Sequence, residues 1–487
     1  MSVPEARIRA CNQENVRPEG NFVLYWMIAN RRANWNFSLE RAVGHALELN
    51  KPLLILEALR TGYRWASDRL HHFVIHGMAD NAAQFESTPA SYYPYLELED
   101  GDGRGLIEAL ADNACVVVTD DFPSFFLPRM IASTAERLPV MLEAVDSNGL
   151  LPMRITDRVF TRAHDFRRHL HKTLKPHLEE FPQEDPLDGI ELPQLEELPE
   201  KLRERWPRAD VEQYASNSDN LSDFAIDHSV AVTSTTGGSK TAANVLQTFL
   251  TEKLPQYGEK RNQPELDVSS GLSPYLHFGH ISAHDIFRQV TASDDWTLDS
   301  IAEKPTGSRS GWWGCSETVE SFLDELITWR EVGFNMCALD DNYESFDSLP
   351  GWAQETLEEH SDDERPSVYS LEEFEEAATH DELWNAAQNQ LVREGKIHNY
   401  LRMLWGKKIL HWTESPQDAL QVMIELNNKY ALDGRNPNSY SGIFWVLGRY
   451  DRAWGPERDI FGKIRYMTSD STAKKLKVKN YIREYSG

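Results

Sequence analysis

A chain of 487 residues with a formal net charge of −27 is long enough for two domains with substantial cores, and its overall field opposes a polyanionic partner. Four scattered cysteines (Cys11, Cys115, Cys315, Cys337) form no CxxC pair, which argues against a disulfide framework or a zinc site and suits a reducing cytoplasm. No apolar run approaches membrane-spanning length and the first residues lack a signal-peptide core, so a soluble, cytoplasmic protein with no membrane partner is expected.

Apolar runs at 23–27, 52–59, 116–119 and 139–145 have strand length and composition, and helical patterns such as 37–49 and 69–85 lie between them. This alternation predicts an α/β domain over 1–175, a parallel sheet with helices on both faces. No GxGxxG follows a strand. The glycine-rich loop 101–105 is weak support for a phosphate site, and the C-terminal ends of the strands are the default place for a ligand. Residues 176–230 are acidic and broken by Pro176, Pro182, Pro186, Pro193, Pro199 and Pro207, which is linker composition. Over 231–487 the apolar pattern is helical nearly throughout, predicting an all-α domain.

Four stretches of that second half carry chemical potential, each with an ordinary alternative. The segment from Ser269 to Gly279 (SSGLSPYLHFG), with Tyr257 and Arg261 upstream, offers hydroxyls and helix-start N–H groups to a phosphate, or is a plain N-cap with proline in its first turn. Glu325 and Trp329 stand at i and i+4, able to hold a flat heterocycle between a carboxylate and an indole, or serving as a surface acid beside a core tryptophan. The stretch EGKIHNYLRMLWGKKILHW places Arg402, Trp405 and Trp412 toward one side of a helix, with His398 one turn before Arg402. With Trp384 upstream, the three indoles could form a chain of redox-active rings or simply fill a core. The turn at 433–441 is rich in amide and carboxylate groups, and Asp433 is the obvious partner for a buried Arg402.

Together SSGLSPYLHFGHIS, LDELITWREVGFNM, THDELWNAAQ, GKIHNYLRMLWGKKILHWT, KYALDGRNPNSYSGIFW and FGKIRYM resemble the photolyase and cryptochrome family, most closely its class II cyclobutane pyrimidine dimer photolyases. The likeness spans most of residues 20–470. It implies an N-terminal α/β domain and a helical domain holding FAD, with Tyr257, Arg261, Ser269, Ser270, Leu272 and Ser273 at the diphosphate. Arg402 and Asp433 would pair beside the flavin ring, with Asn427 near its polar edge. Glu325, Trp329, Met403 and Trp445 would line the pocket for a dimer in DNA, and Trp384, Trp405 and Trp412 would relay electrons. A second, antenna chromophore in the α/β domain is left open, and a monomer is expected. The chain departs from the class II pattern at Gly271, Asn399 and Asn436, over 446–459, and in an apparent insertion at 296–314.

Binding of DNA by so acidic a protein calls for a local basic rim, for which Arg449, Arg452, Lys474 and Lys475 are candidates, with Lys477 and Lys479 in the same run, and Asn399 is a further candidate DNA contact. The implied activity is light-driven dimer repair. Its rival on the same fold is a blue-light photoreceptor of cryptochrome type.

Overall fold

Runs of aliphatic and β-branched residues form a six-stranded sheet in the computed structural model, which describes residues 3–486. The strands are β1 (Ile8–Ala10), β2 (Phe22–Met27), β3 (Leu53–Leu59), β4 (Ser91–Leu96), β5 (Ala114–Asp120) and β6 (Leu142–Val145), in the order β1-β6-β5-β2-β3-β4. All pairings are parallel except that of β1 with β6. Strands β2 and β5 are buried at every position, which is why they read as continuous apolar runs without alternation. Two edge strands escape the sequence pattern. β1 is only three residues long, and β4 contains Pro94, which its place at the sheet edge tolerates.

The chain divides into two compact units: Met1–Thr156 with Pro176–Gln247 and Leu272–Gln289, and Asp157–Lys175 with Thr248–Gly271 and Val290–Gly487. The acidic, proline-rich stretch expected as a linker is built into the first unit. It carries the helices Glu200–Arg205 and Val211–Ser216, and it buries Leu187, Leu202, Trp206, Val211, Leu221 and Phe224. The prolines break regular structure there, but the large apolar residues between them still reach the core.

The segment around SPYLHFGHIS also serves this first unit. Tyr275, Phe278 and His280 pack their rings against Phe73 at 5.2–5.4 Å between centroids. Gly279 has φ +74°, and a Cβ there would lie 1.9 Å from the Ala29 carbonyl oxygen, so the loop after β2 admits only glycine. At the ends of β2 and β5 the crevice is occupied from within. The Asp120 carboxylate accepts hydrogen bonds from the backbone N–H groups of Ile28, Ala29 and Asn30 at 2.8–2.9 Å. The glycine-rich loop is likewise satisfied internally, since Gly101 and Gly103 donate to the Glu97 carboxylate.

The second unit is helical. Its central elements are the run from Glu317 to Leu339 and the helices Glu382–Glu394, Asn399–Trp412, Pro416–Tyr430 and Pro437–Val446. Asp381, Ser415 and Asn436 cap three of them through side-chain oxygens. Gly406 lets helix Asn399–Trp412 approach helix Pro437–Val446, because a Cβ at that position would meet Val446 at 2.5 Å. No helix among the described residues is long and apolar enough to cross a membrane.

Candidate active site

Helix Glu382–Glu394 ends at Gly395 in the left-handed conformation, and the chain re-enters a helix at Asn399. That turn points Arg402 at Asp433, its Nη2 donating to Oδ1 at 3.0 Å and its Nη1 to Oδ2 at 3.4 Å, with each side chain 16% exposed. The Arg402 Nε is buried without a hydrogen-bond partner, as is the Nδ1 of His398 one turn before it. The Nε2 of His398 meets the Arg261 carbonyl at 3.0 Å. Asn427 is buried and donates to the Ser439 hydroxyl.

Trp384 links to both of the other tryptophans, to one through that residue's backbone and to the other through its ring. Trp384 Nε1 donates to the Trp405 carbonyl at 3.0 Å, and the rings of Trp384 and Trp412 lie 6.0 Å apart in an edge-to-face arrangement. Trp405 Nε1 donates to Gln388 at 3.0 Å, fixing its ring. All three are buried, so Trp384 bridges Trp405, one turn from Arg402, to Trp412.

Glu325 and Trp329 lie on a π-helical turn, Asp324–Trp329, inserted in the helical run. The turn leaves both half-buried while Leu326, Ile327 and Thr328 face the core. Such extra-residue turns collect at functional positions. Arg261, expected at a diphosphate, donates to Glu325 at 2.6 Å, and its guanidinium lies 5.5 Å from the Tyr257 ring. Desolvation raises the pKa of the Glu325 carboxyl, and Arg261 pulls it back toward the charged form. Ser269 is exposed and Ser270 half-buried; Leu272 and Ser273 belong to the first unit, Ser273 opening the short helix Ser273–His277.

No family model matches the chain. Proteins named deoxyribodipyrimidine photo-lyase do match it along nearly its whole length. That of Methanothermobacter thermautotrophicus is 34% identical over 483 residues, covering 99% of this chain and 98% of its own. That of Oryza sativa subsp. japonica is 33% identical, covering 98% and 90%, and that of Potorous tridactylus 31%, covering 99% and 84%. The chain belongs to the photolyase/cryptochrome family. A crystal structure of a bacterial class III photolyase from Agrobacterium tumefaciens shares the fold, with a TM-score of 0.63 at 16% identity over 96% of this chain and 86% of that one.

The family's motifs do not reveal how Trp445 is mounted. Half-buried, it has Lys407 Nζ 5.0 Å and the Arg465 guanidinium 5.4 Å from its ring centre. Arg465 also stacks on Trp454 at 3.9 Å, and Arg452 covers that ring at 4.5 Å. Asp451 holds Arg465 through both carboxylate oxygens. The stack leads from Trp445 to the exposed Arg452. Trp454 and Arg465 escape a reading of the sequence because alternating cation and indole has no fixed spacing there. Met403 of helix Asn399–Trp412 packs toward Gly442 of helix Pro437–Val446, where a Cβ would meet its Cε at 3.7 Å.

Arg449 is removed from the DNA-binding candidates. It is 1% exposed, donates to the Tyr343 carbonyl at 2.9 Å and to the Ser348 hydroxyl, and packs over Phe444. An enclosed guanidinium with internal acceptors has no reach to a phosphate. Asn399, Arg452, Lys474, Lys475, Lys477 and Lys479 are exposed, Lys475 approaching the Tyr400 hydroxyl at 3.5 Å.

Lys407 is fully buried, with Nζ donating to the Val446 carbonyl. Desolvation pulls its pKa down from 10.5 to about 7, assisted by Arg465 and opposed by Asp451. The unfolded chain therefore binds the additional proton between about pH 7 and 10.5, and stability rises with pH across that window. The slope is at most about 1.4 kcal/mol per pH unit. In urea unfolding at stepped pH, the parent should gain on Lys407→Met from neutral to alkaline pH. Parallel curves would show that the amine titrates as it does in water.

Proposed function

We propose that this chain is a light-driven repair enzyme for cyclobutane pyrimidine dimers in DNA, of the class II type, with FAD as its cofactor. The observation that carries the reading is chain-long likeness to proteins named deoxyribodipyrimidine photo-lyase, together with an Arg402–Asp433 pair whose arginine lies on the helix that carries Trp405 and Trp412, both linked to Trp384. The residues suit the cofactor. A buried Arg402 Nε and His398 Nδ1 without partners are costly unless a ligand supplies polar groups. Arg402, Asp433 and Asn427 would hold the ring system, and Tyr257, Arg261, Ser269 and Ser270 the phosphates.

FAD, when bound and reduced, supplies a photoexcitable one-electron donor. The protein's part is geometry and electrostatics. Asp433 fixes the Arg402 guanidinium so that its Nε–H keeps one direction. A pyrimidine dimer must leave the duplex to be reached, and its broken stacking makes that extrusion cheaper than for an intact pair. The half-buried Trp329 and Trp445 would take the extruded bases by their rings, and Met403 would complete the pocket. Glu325 stands between opposing influences, desolvation favouring its neutral form and Arg261 its charged one. In the neutral form it can donate a hydrogen bond to a pyrimidine carbonyl and stabilise negative charge arriving there. The row Trp405, Trp384, Trp412 would deliver electrons to the cofactor.

The test is illumination of purified protein with an oligonucleotide carrying one thymine dimer. Intact thymines should reappear in light and not in darkness, and Glu325→Ala should lower the yield roughly tenfold or more. A flavin-loaded, reduced protein that restores no thymines in light would overturn the repair reading and leave the photoreceptor reading standing.

A further inference from the structure

We propose that the outward face of helix Ala163–His177, together with the strap 302–311 lying along it, is a second phosphate-binding surface for duplex DNA. The proposal deepens the repair reading, on which it rests for the identity of the polyanion.

The helix buries Ala163, Phe166, Arg167, Leu170 and Leu174. His164, Arg168, Lys172 and Lys175 are exposed on the opposite side, within an arc of roughly 80° at 3.6 residues per turn. That stripe is about 16 Å long at 1.5 Å per residue, the axial length of about five base pairs. The strap adds Lys304 and Arg309, both exposed. It is fastened against the helix rather than loose. Gly307 donates its N–H to His171 Nδ1 at 3.2 Å, and a Cβ at Gly307 would lie 3.1 Å from that of Arg168. Trp312 stacks on His171 at 4.2 Å with ring planes 1° apart. Glu320 accepts the N–H groups of Gly311, Trp313 and Gly314 at 2.6–3.3 Å.

Among the described residues, none of Arg168, Lys172, Lys175, Lys304 or Arg309 forms an ion pair. The acids near the stripe along the chain are Asp165, shared between Arg158 and His164, Glu180, paired with His177, and the exposed Glu179 and Glu303. Some exposed cations of this surface take carboxylates, as Arg137 takes Glu108 and Lys463 takes Glu457, and others, such as Arg452 and Lys474, take none among the described residues. In a chain with 77 acidic residues against 50 basic ones, five cations without an ion pair on one helix face and its strap make a locally basic surface. A surface of that kind suits a partner bringing its own regularly spaced anions.

The surface is also joined to the candidate active site. Arg167, on the inner side of the same helix, holds Asp324 through two hydrogen bonds at 2.7 and 2.9 Å, and Asp324 immediately precedes Glu325. Arg309 lies near enough for its charge to lower the pKa of the Glu325 carboxyl. A duplex whose lesion enters beside Glu325 would carry its flanking phosphates past the strap, where guanidinium forks can take them.

The test compares the parent with Arg168→Gln/Lys172→Gln/Arg309→Gln in salt titrations of binding, using a duplex with one thymine dimer and the same duplex without it. Each phosphate that is no longer neutralised should flatten the log–log salt slope by about 0.9, so the slope of the triple variant should be shallower by up to about 2.7. Affinity for the two duplexes should fall together, because phosphate contacts carry no information about the bases. Affinity for an isolated thymine-dimer dinucleotide, too short to reach the surface, should not change. A parental slope in the triple variant overturns the proposal, as does a weakening confined to the dinucleotide. A parent that binds damaged and undamaged duplex alike would count against the repair reading, while the slope would still decide the surface.

Discussion

Arg402→Ala and Asp433→Ala proteins are expected to purify with little bound flavin. Truncating one partner of a buried ion pair costs roughly 3–5 kcal/mol, because the survivor keeps its charge without compensation. Here each side chain is 16% exposed, so solvent screens part of that penalty, and about 2 kcal/mol of lost cofactor affinity is a fair expectation. That alone lowers occupancy more than tenfold under limiting cofactor. Arg402→Lys should fall between, since a lysine keeps the charge but cannot make the two-pronged contact with Asp433. The ratio of visible to ultraviolet absorbance of the purified proteins is the measurement. Full occupancy in both alanine variants would remove the pair from the cofactor site.

The second large effect is expected at Trp405. Trp384 contacts Trp405 through a hydrogen bond to its carbonyl and Trp412 through its ring, so Trp405 is the end of the row nearest Arg402. Trp405→Phe preserves a ring of similar shape but removes the readily oxidised indole. It also strands the Gln388 amide oxygen that Trp405 Nε1 now satisfies. Light-driven reduction of the cofactor by an external donor should then disappear almost entirely. Protein reduced chemically beforehand should still repair. If repair fails in the pre-reduced variant while cofactor and fold persist, Trp405 acts on the substrate and not in delivery.

Much of the fold is legible because burial imposes its period on sequence. β2, β3 and β5 read as apolar runs since both faces are covered, and helix Phe37–Leu49 falls where its periodicity puts it. What escapes depends on non-local pairing. Pro94 disguises an edge strand, and the π-helical turn at Asp324–Trp329 leaves no mark in a pattern read at 3.6 residues per turn. The proline-rich stretch has the look of a tether when its breakers are weighed above Trp206 and Phe224, which are buried. In the candidate site, the cost of a buried charge is enough to pair Arg402 with Asp433. Arg449 misleads for the opposite reason: a charged residue suggests exposure, although Tyr343 and Ser348 stand ready to receive it inside.

The interleaving of the two units sets an order in time. As the chain leaves the ribosome, helix Asp68–Phe85 emerges long before Tyr275, Phe278 and His280, which cover its Phe73. The first unit cannot close until Gln289 has been made, while Arg167 waits for Asp324. The first unit therefore closes only past the middle of the chain and the second only at its end, and a nascent chain carries uncovered aromatic surface through much of its synthesis. An excised fragment ending at 175 or 230 contains every strand of the sheet but lacks the segment around Tyr275 that seals its Phe73 side.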